Sequence, residues 1–100
     1  MRELLQGEAR SAALAPLLAN GWTGTADGKG IAKTFVFRNF SEAFGWMARV
    51  AMAAEKADHH PDWKNVWKTV EVTLSTHSAG GITKLDIDLA TSMDRMAGSR

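Results

Sequence analysis

Three histidines, and the carboxylates close to them in sequence, are the residues of this chain best suited to chemistry. His59 and His60 stand together in "EKADHHPDWKNV", directly before Pro61, and His77 lies in "LSTHSAGG". Histidine titrates near neutrality, so each ring can give or take a proton there. Three readings of the pair stand side by side. Cationic side chains are favoured at a helix C-terminus by the dipole and the unpaired carbonyls, so the pair can simply end a helix. A metal site would need three or four converging ligands, drawn from the histidines with Asp58 or Asp86, but no His-x-x-x-His spacing puts two rings on one helix face. Proton transfer would need His59 or His60 to meet His77 at one edge of a sheet, with Glu55 and Asp86 near them. No nucleophilic serine motif and no phosphate-binding glycine loop follows a strand, which leaves proton transfer without a covalent intermediate.

The rest of the chain must position these groups. With 100 residues, a single domain spanning 1–100 is expected. An apolar fraction of 45% suits a folded core, although a chain this short buries a limited share of its surface and can gain from self-association. The net charge of +1 comes from dispersed basic and acidic residues, so no nucleic-acid surface is indicated. There is no cysteine, which excludes disulfides, thiolate metal sites and a cysteine nucleophile. "MRELLQGEAR" carries charges where a signal peptide needs apolar residues, and no stretch approaches the roughly 20 residues of a membrane span. A soluble cytoplasmic protein is expected.

Turn signals divide the chain cleanly. Glu8 to Ala19 reads as a helix that Pro16 should break or end, and Asn20-Gly21 stops it. Trp22 to Ala26 and Ile31 to Arg38 read as a hairpin around Asp27-Gly28-Lys29-Gly30. Asn39 caps a helix running to about Asp58, with Glu42 reaching back to complete a capping box. Phe44, Met47, Ala48, Ala51 and Ala54 define its apolar face, with Trp46 and Val50 partly off it. That sector is wide enough to pack on a sheet and on a partner. Pro61 cannot continue the helix. Trp63 to Val66 and Val70 to Thr76 form a second antiparallel pair. Thr83-Lys84-Leu85-Asp86 opens a last helix that carries Leu85, Leu89, Met93 and Met96 to about Ala97. The order α-β-β-α-β-β-α gives an α+β fold: an antiparallel sheet with helices on one face. Trp22, Trp46 and Trp67 read as core or interface residues, and Asp86 has a capping role open to it as well as a place in the site.

The segments "AEKADHHPDW", "LSTHSAGGITKLDIDLA" and "FRNFSEAFGWMARVA" closely resemble the pterin-4a-carbinolamine dehydratase family. The joint pattern of Glu-Lys-x-x-His-His-Pro-x-Trp, a later Thr-His and an aspartate in a capped helix makes the resemblance specific. It implies a four-stranded antiparallel sheet covered by helices, and dimers or tetramers built by helix packing. It also implies an activity: removal of water from a 4a-hydroxytetrahydropterin, which recycles the reduced pterin of aromatic amino acid hydroxylases. By resemblance, His59, His60 and His77 are the catalytic positions. Glu55, Asp58, Trp63, Ser75, Thr76 and Asp86 are substrate-contacting or neighbouring ones. No metal or cofactor is implied. On this reading His59 and His77 flank the leaving hydroxyl and His60 orients the pterin. Relatives also serve as a dimerisation cofactor for a homeodomain transcription factor, or as assembly or regulatory factors. A partner-protein role is therefore the competing expectation.

Overall fold

The computed structural model describes residues 3–98. Chain order is α1 (Gly7–Leu18), β1 (Thr23–Gly24), β2 (Ile31–Val36), α2 (Phe40–Ala57), β3 (Asp62–Val66), β4 (Thr69–Leu74), a 3-10 turn (His77–Ala79) and α3 (Lys84–Ala97). The strands form one antiparallel sheet in the order β1-β2-β4-β3, and the helices cover one face. This is the α+β architecture expected from the order of elements.

Alternation sorts the sheet's side chains. Ile31 and Phe35 of β2, with Val70, Val72 and Leu74 of β4, are buried beneath the helices. The register sets Ala32, Thr73 and Asp62 in a row across β2, β4 and β3, on the opposite, uncovered face. Below that row, Lys64 and Glu71 approach to 3.8 Å.

Trp46 centres the core. Its ring lies 4.5 Å from Phe35 and 5.1 Å from Phe37, and its indole N–H donates to the Met93 carbonyl at 3.1 Å. The buried face of α2 is therefore Ala43, Trp46, Val50 and Ala54 rather than the stripe centred on Phe44. Both stripes repeat every 3.6 residues, so periodicity alone does not choose between them; the volume of Trp46, filling the space over the two phenylalanines, does. Phe44 is left 58% exposed and Met52 67%, together with Phe40. Trp22 is also core, whereas Trp67 is exposed on the β3–β4 turn with φ of 51°.

Pro16 neither breaks nor ends α1. It lies in the last turn, and the bond it cannot make would have gone to Ala12, whose exposed position lets water satisfy the carbonyl. A polar clasp closes the far end of the molecule: Asp94 of α3 accepts from the Trp22 indole at 3.0 Å and from Lys33 at 2.7 Å.

Candidate active site

The end of α2 aims the first two histidines. Asn39 starts the helix by accepting from the Glu42 N–H at 2.8 Å, while Glu42 reaches the Arg38 N–H at 2.9 Å, one residue before the cap. At the other end the His59 N–H bonds to the Ala54 carbonyl and the Asp58 N–H to the Glu55 carbonyl. This pair of bonds is the Schellman ending, in which one residue takes the left-handed conformation. Asp58 does so, with φ of 51° and ψ of 43°. The reversal turns His59 inward, to 5% exposure, and leaves His60 outside.

His59 Nε2 lies 2.6 Å from Asp86 Oδ1, and Asp86 is fully buried. The other Asp86 oxygen accepts from the Thr83 N–H at 2.9 Å and from the Thr76 hydroxyl at 2.8 Å. With its proton given to Asp86, Thr76 Oγ1 can only accept from Thr83 Oγ1, 2.8 Å away, and Thr83 in turn accepts from the Leu85 N–H. Every proton in this network points towards Asp86. The carboxylate is thus an acceptor on all sides, and His59 meets it as an Nε2–H donor. Asp86 and Thr83 also make the capping box of α3, so one carboxylate starts a helix and holds a histidine.

His60 Nε2 lies 2.8 Å from Glu55 Oε1, one turn back on α2, in an exposed pair. His77 opens the 3-10 turn that follows Thr76, is exposed, and has no side-chain partner among the described residues. Its loop is closed by the bridge between Thr76 and Gly81.

His60 and His77 line one cleft of about 530 Å³, together with Asp62, Thr73, Ser75 and the turn residues Asp27, Lys29 and Gly30. That volume lies within the usual range for small-molecule sites, roughly 300–1,000 Å³. The cleft opens on the uncovered sheet face, where the Ala32–Thr73–Asp62 row ends. Ser75 reaches across it, its hydroxyl donating to the Lys29 carbonyl at 2.7 Å. Gly30 is needed for this closeness: a Cβ there would stand 2.8 Å from the Leu74 carbonyl oxygen.

Asp27 fixes the opposite turn. Its Oδ1 accepts from the Lys29 N–H at 2.9 Å and from the Thr25 hydroxyl at 2.7 Å. These two bonds hold its carboxyl below the ordinary value of 3.8. A depressed carboxylate contributes order above its unfolded value and loses it as pH falls through the folded one. The turn is therefore expected to persist across neutral pH and to loosen only below about pH 4. An NMR titration of the Lys29 amide checks this: the midpoint should lie below 3.8 and rise in Thr25→Ala.

The sequence-derived residues are thus drawn together, but not on one surface. His60, His77 and Ser75 face the cleft. His59, Thr76 and Asp86 form the buried network behind it, and Asp58 supplies the left-handed turn. Glu55 contacts His60. Trp63 points to the helix side of β3, its ring 6.1 Å from Trp46. Asp62, Thr73, Asp27, Lys29 and Gly30 also line the cleft, and no motif marks them in the sequence as site residues. The available signal was the strand alternation that puts Asp62 on the face opposite Trp63, and the "DGKG" turn between strands. Among the described residues no group of three or more histidines and carboxylates is arranged to hold a metal ion, and no helix is long and apolar enough to cross a membrane.

Fold and cleft together define a small α+β protein with two imidazoles and two carboxylates gathered on the open face of a four-stranded sheet. The sequence profile of the family described as pterin 4 alpha carbinolamine dehydratase matches residues 3–96, and the chain belongs to that family. A relative from Mesorhizobium japonicum, provisionally named as such a dehydratase, is 60% identical over 97 residues, covering 97% of each chain. One from Jannaschia sp. (strain CCS1), named in the same provisional way, is 56% identical and covers 97% of this chain and 99% of its own. The crystal structure of a transcriptional coactivator/pterin dehydratase from Brucella melitensis superimposes with a TM-score of 0.85 at 44% identity, covering 94% of this chain and 98% of that one. A pterin dehydratase-like RuBisCO assembly factor of the alpha-carboxysome shares the fold, with a TM-score of 0.68 at 20% identity, over 80% of this chain and 93% of that one.

Proposed function

We propose that this protein is a hydro-lyase that dehydrates a 4a-hydroxytetrahydropterin to the quinonoid dihydropterin, returning the reduced pterin of an aromatic amino acid hydroxylase to its cycle in the cytoplasm. The observation that carries the reading is the pairing of His60 with His77 in one ligand-sized cleft of a chain from this family. The reaction breaks the C4a–O bond, loses the N5 proton and forms the C4a=N5 double bond. Hydroxide is a poor leaving group, so an acid must protonate the departing oxygen while a base takes the N5 proton. The two transfers balance, and the product is water.

His77, free of any side-chain bond among the described residues, is assigned the acid role. His60 is assigned the base role: with Nε2–H given to Glu55, its Nδ1 is the acceptor. His59 is the third imidazole of the site. Held by Asp86 behind the wall, it fixes the strand end and loop from which Ser75 and His77 project, rather than flanking the hydroxyl itself. Positioned proton transfer of this kind contributes about 10² to 10⁴ in rate, which suits a carbinolamine already prone to lose water. The test is a dehydration assay on the purified protein, with single replacements of His60 and His77.

A second reading is favoured by the surface of α2, where Phe40, Phe44 and Met52 are exposed on a helix whose other side is core. We assign this stripe to packing against further copies of the chain, as a homodimer or homotetramer. Relatives named as a coactivator and as an assembly factor support a partner-binding role for such a surface. Phe44→Glu is expected to shift the protein to monomers in analytical ultracentrifugation without changing its helical content. An unchanged assembly would remove α2 from the interface.

A further inference from the structure

The cleft contains a carboxylate that neither the acid nor the base step uses. We propose that Asp62 is the specificity residue that reads the 2-amino and N3–H edge of the pterin ring, so that the protein selects 2-amino-4-oxo pteridines over their 2,4-dioxo counterparts. The inference rests on the dehydratase reading and adds how the substrate is recognised.

That edge of a pterin presents two parallel donors, the arrangement a guanidinium offers, and its natural complement is a carboxylate with both oxygens free. Five acidic residues lie in or near the site, and the structure separates them. Asp58 forms the left-handed end of α2 and is not part of the cleft wall. Asp86 is fully buried, with bonds to both oxygens. Glu55 is bound to His60 and is not part of the cleft wall. Asp27 lines the cleft, but its Oδ1 already takes two bonds that fix its own turn. Asp62 lines the same cleft, is exposed, and has no hydrogen bond or ion pair from its side chain to any described residue. As the first residue of β3, set opposite Thr73, it is held by the strand ladder and needs little ordering when a ligand arrives. It also lies two residues from His60. A ring anchored at its amino edge by Asp62 therefore has its opposite, reduced ring free to reach the imidazoles.

The test pairs one change in the protein with one in the ligand. Calorimetry compares a 7,8-dihydropterin with the matching dihydrolumazine, in which a 2-oxo group replaces the 2-amino group, on wild type and on Asp62→Asn. Wild type should prefer the pterin by about tenfold or more, the usual scale for hydrogen bonds to a charged group. Asp62→Asn should lose that preference or reverse it, because its amide can donate to the 2-oxo group. In the dehydration assay the variant should raise KM about tenfold with kcat little changed, since the lost contact is made before and during reaction alike. Its melting temperature should stay that of wild type, because Asp62 makes no side-chain bond to lose. Wild type binding both ligands equally, or Asp62→Asn keeping the wild-type preference, overturns the assignment. If wild type binds neither ligand and does not speed dehydration, the dehydratase reading has failed, and this inference with it.

Discussion

Replacing His77 with alanine is expected to lower the dehydration rate by about 10² to 10⁴ and to leave the folding stability almost untouched. The two effects separate because of where the ring sits. His77 is exposed at the start of a short 3-10 turn, and its side chain bonds to nothing else among the described residues. Removing it deletes no core contact and strands no buried partner. The backbone bonds that close the loop, from Thr76 to Gly81 and from Gly80 to Thr76, do not involve the imidazole. A variant with normal denaturant midpoint and a collapsed kcat is the signature of a group that acts on the substrate. His60→Ala should behave similarly, with little loss of stability, since its pair with Glu55 is exposed and such pairs contribute at most about 1 kcal/mol. A near-normal rate in both variants would exclude imidazole acid–base chemistry from this cleft.

The largest stability effect is expected at Asp86. Asp86→Ala removes the acceptor for the His59 ring, the Thr76 hydroxyl and the Thr83 N–H at once, in a place from which water is excluded. Leaving a buried donor without an acceptor costs about 1–3 kcal/mol, so three of them cost a large part of the roughly 5–15 kcal/mol that holds a domain together. The loss also removes half of the capping box of α3. Thr83→Val, which keeps the Asp86 carboxylate and its bond to His59, should cost only about 1–2 kcal/mol. Urea midpoints distinguish the two variants. If Asp86→Ala instead kept its stability and lost only rate, the carboxylate would belong to the chemistry rather than to the frame that supports it.

These contrasting expectations follow from a division that the sequence does not display. Three histidines within a short motif look equivalent on the page. What separates His59 from His60 is the left-handed turn at Asp58, which sends one ring inward and leaves the next outside. Pro61 announced that the helix must end nearby, but not which backbone geometry would end it. The capped start of α3 was legible from Thr83 and Asp86, because capping is local chemistry. That Asp86 also holds His59, 27 positions away, depends on a tertiary contact that no local rule supplies.

The same distinction explains α2. Its existence and limits could be read from Asn39, the apolar repeat and Pro61. The choice of Trp46 over Phe44 as the buried side depended on the volume available over Phe35 and Phe37. Asp62 carries no motif signal of its own, standing between Pro61 and Trp63 in a segment marked by its histidines. Strand alternation then sends the tryptophan to the core side and the aspartate to the cleft.

The central claim is that this cleft dehydrates pterin carbinolamines with its own imidazoles. The most direct measurement generates the 4a-hydroxytetrahydropterin with an aromatic amino acid hydroxylase and follows its decay by ultraviolet absorbance. On this account the decay accelerates in proportion to added wild-type protein, and a His60→Ala/His77→Ala double variant of normal stability adds nothing to the rate in buffer. Decay at the buffer rate with folded wild-type protein present would contradict it.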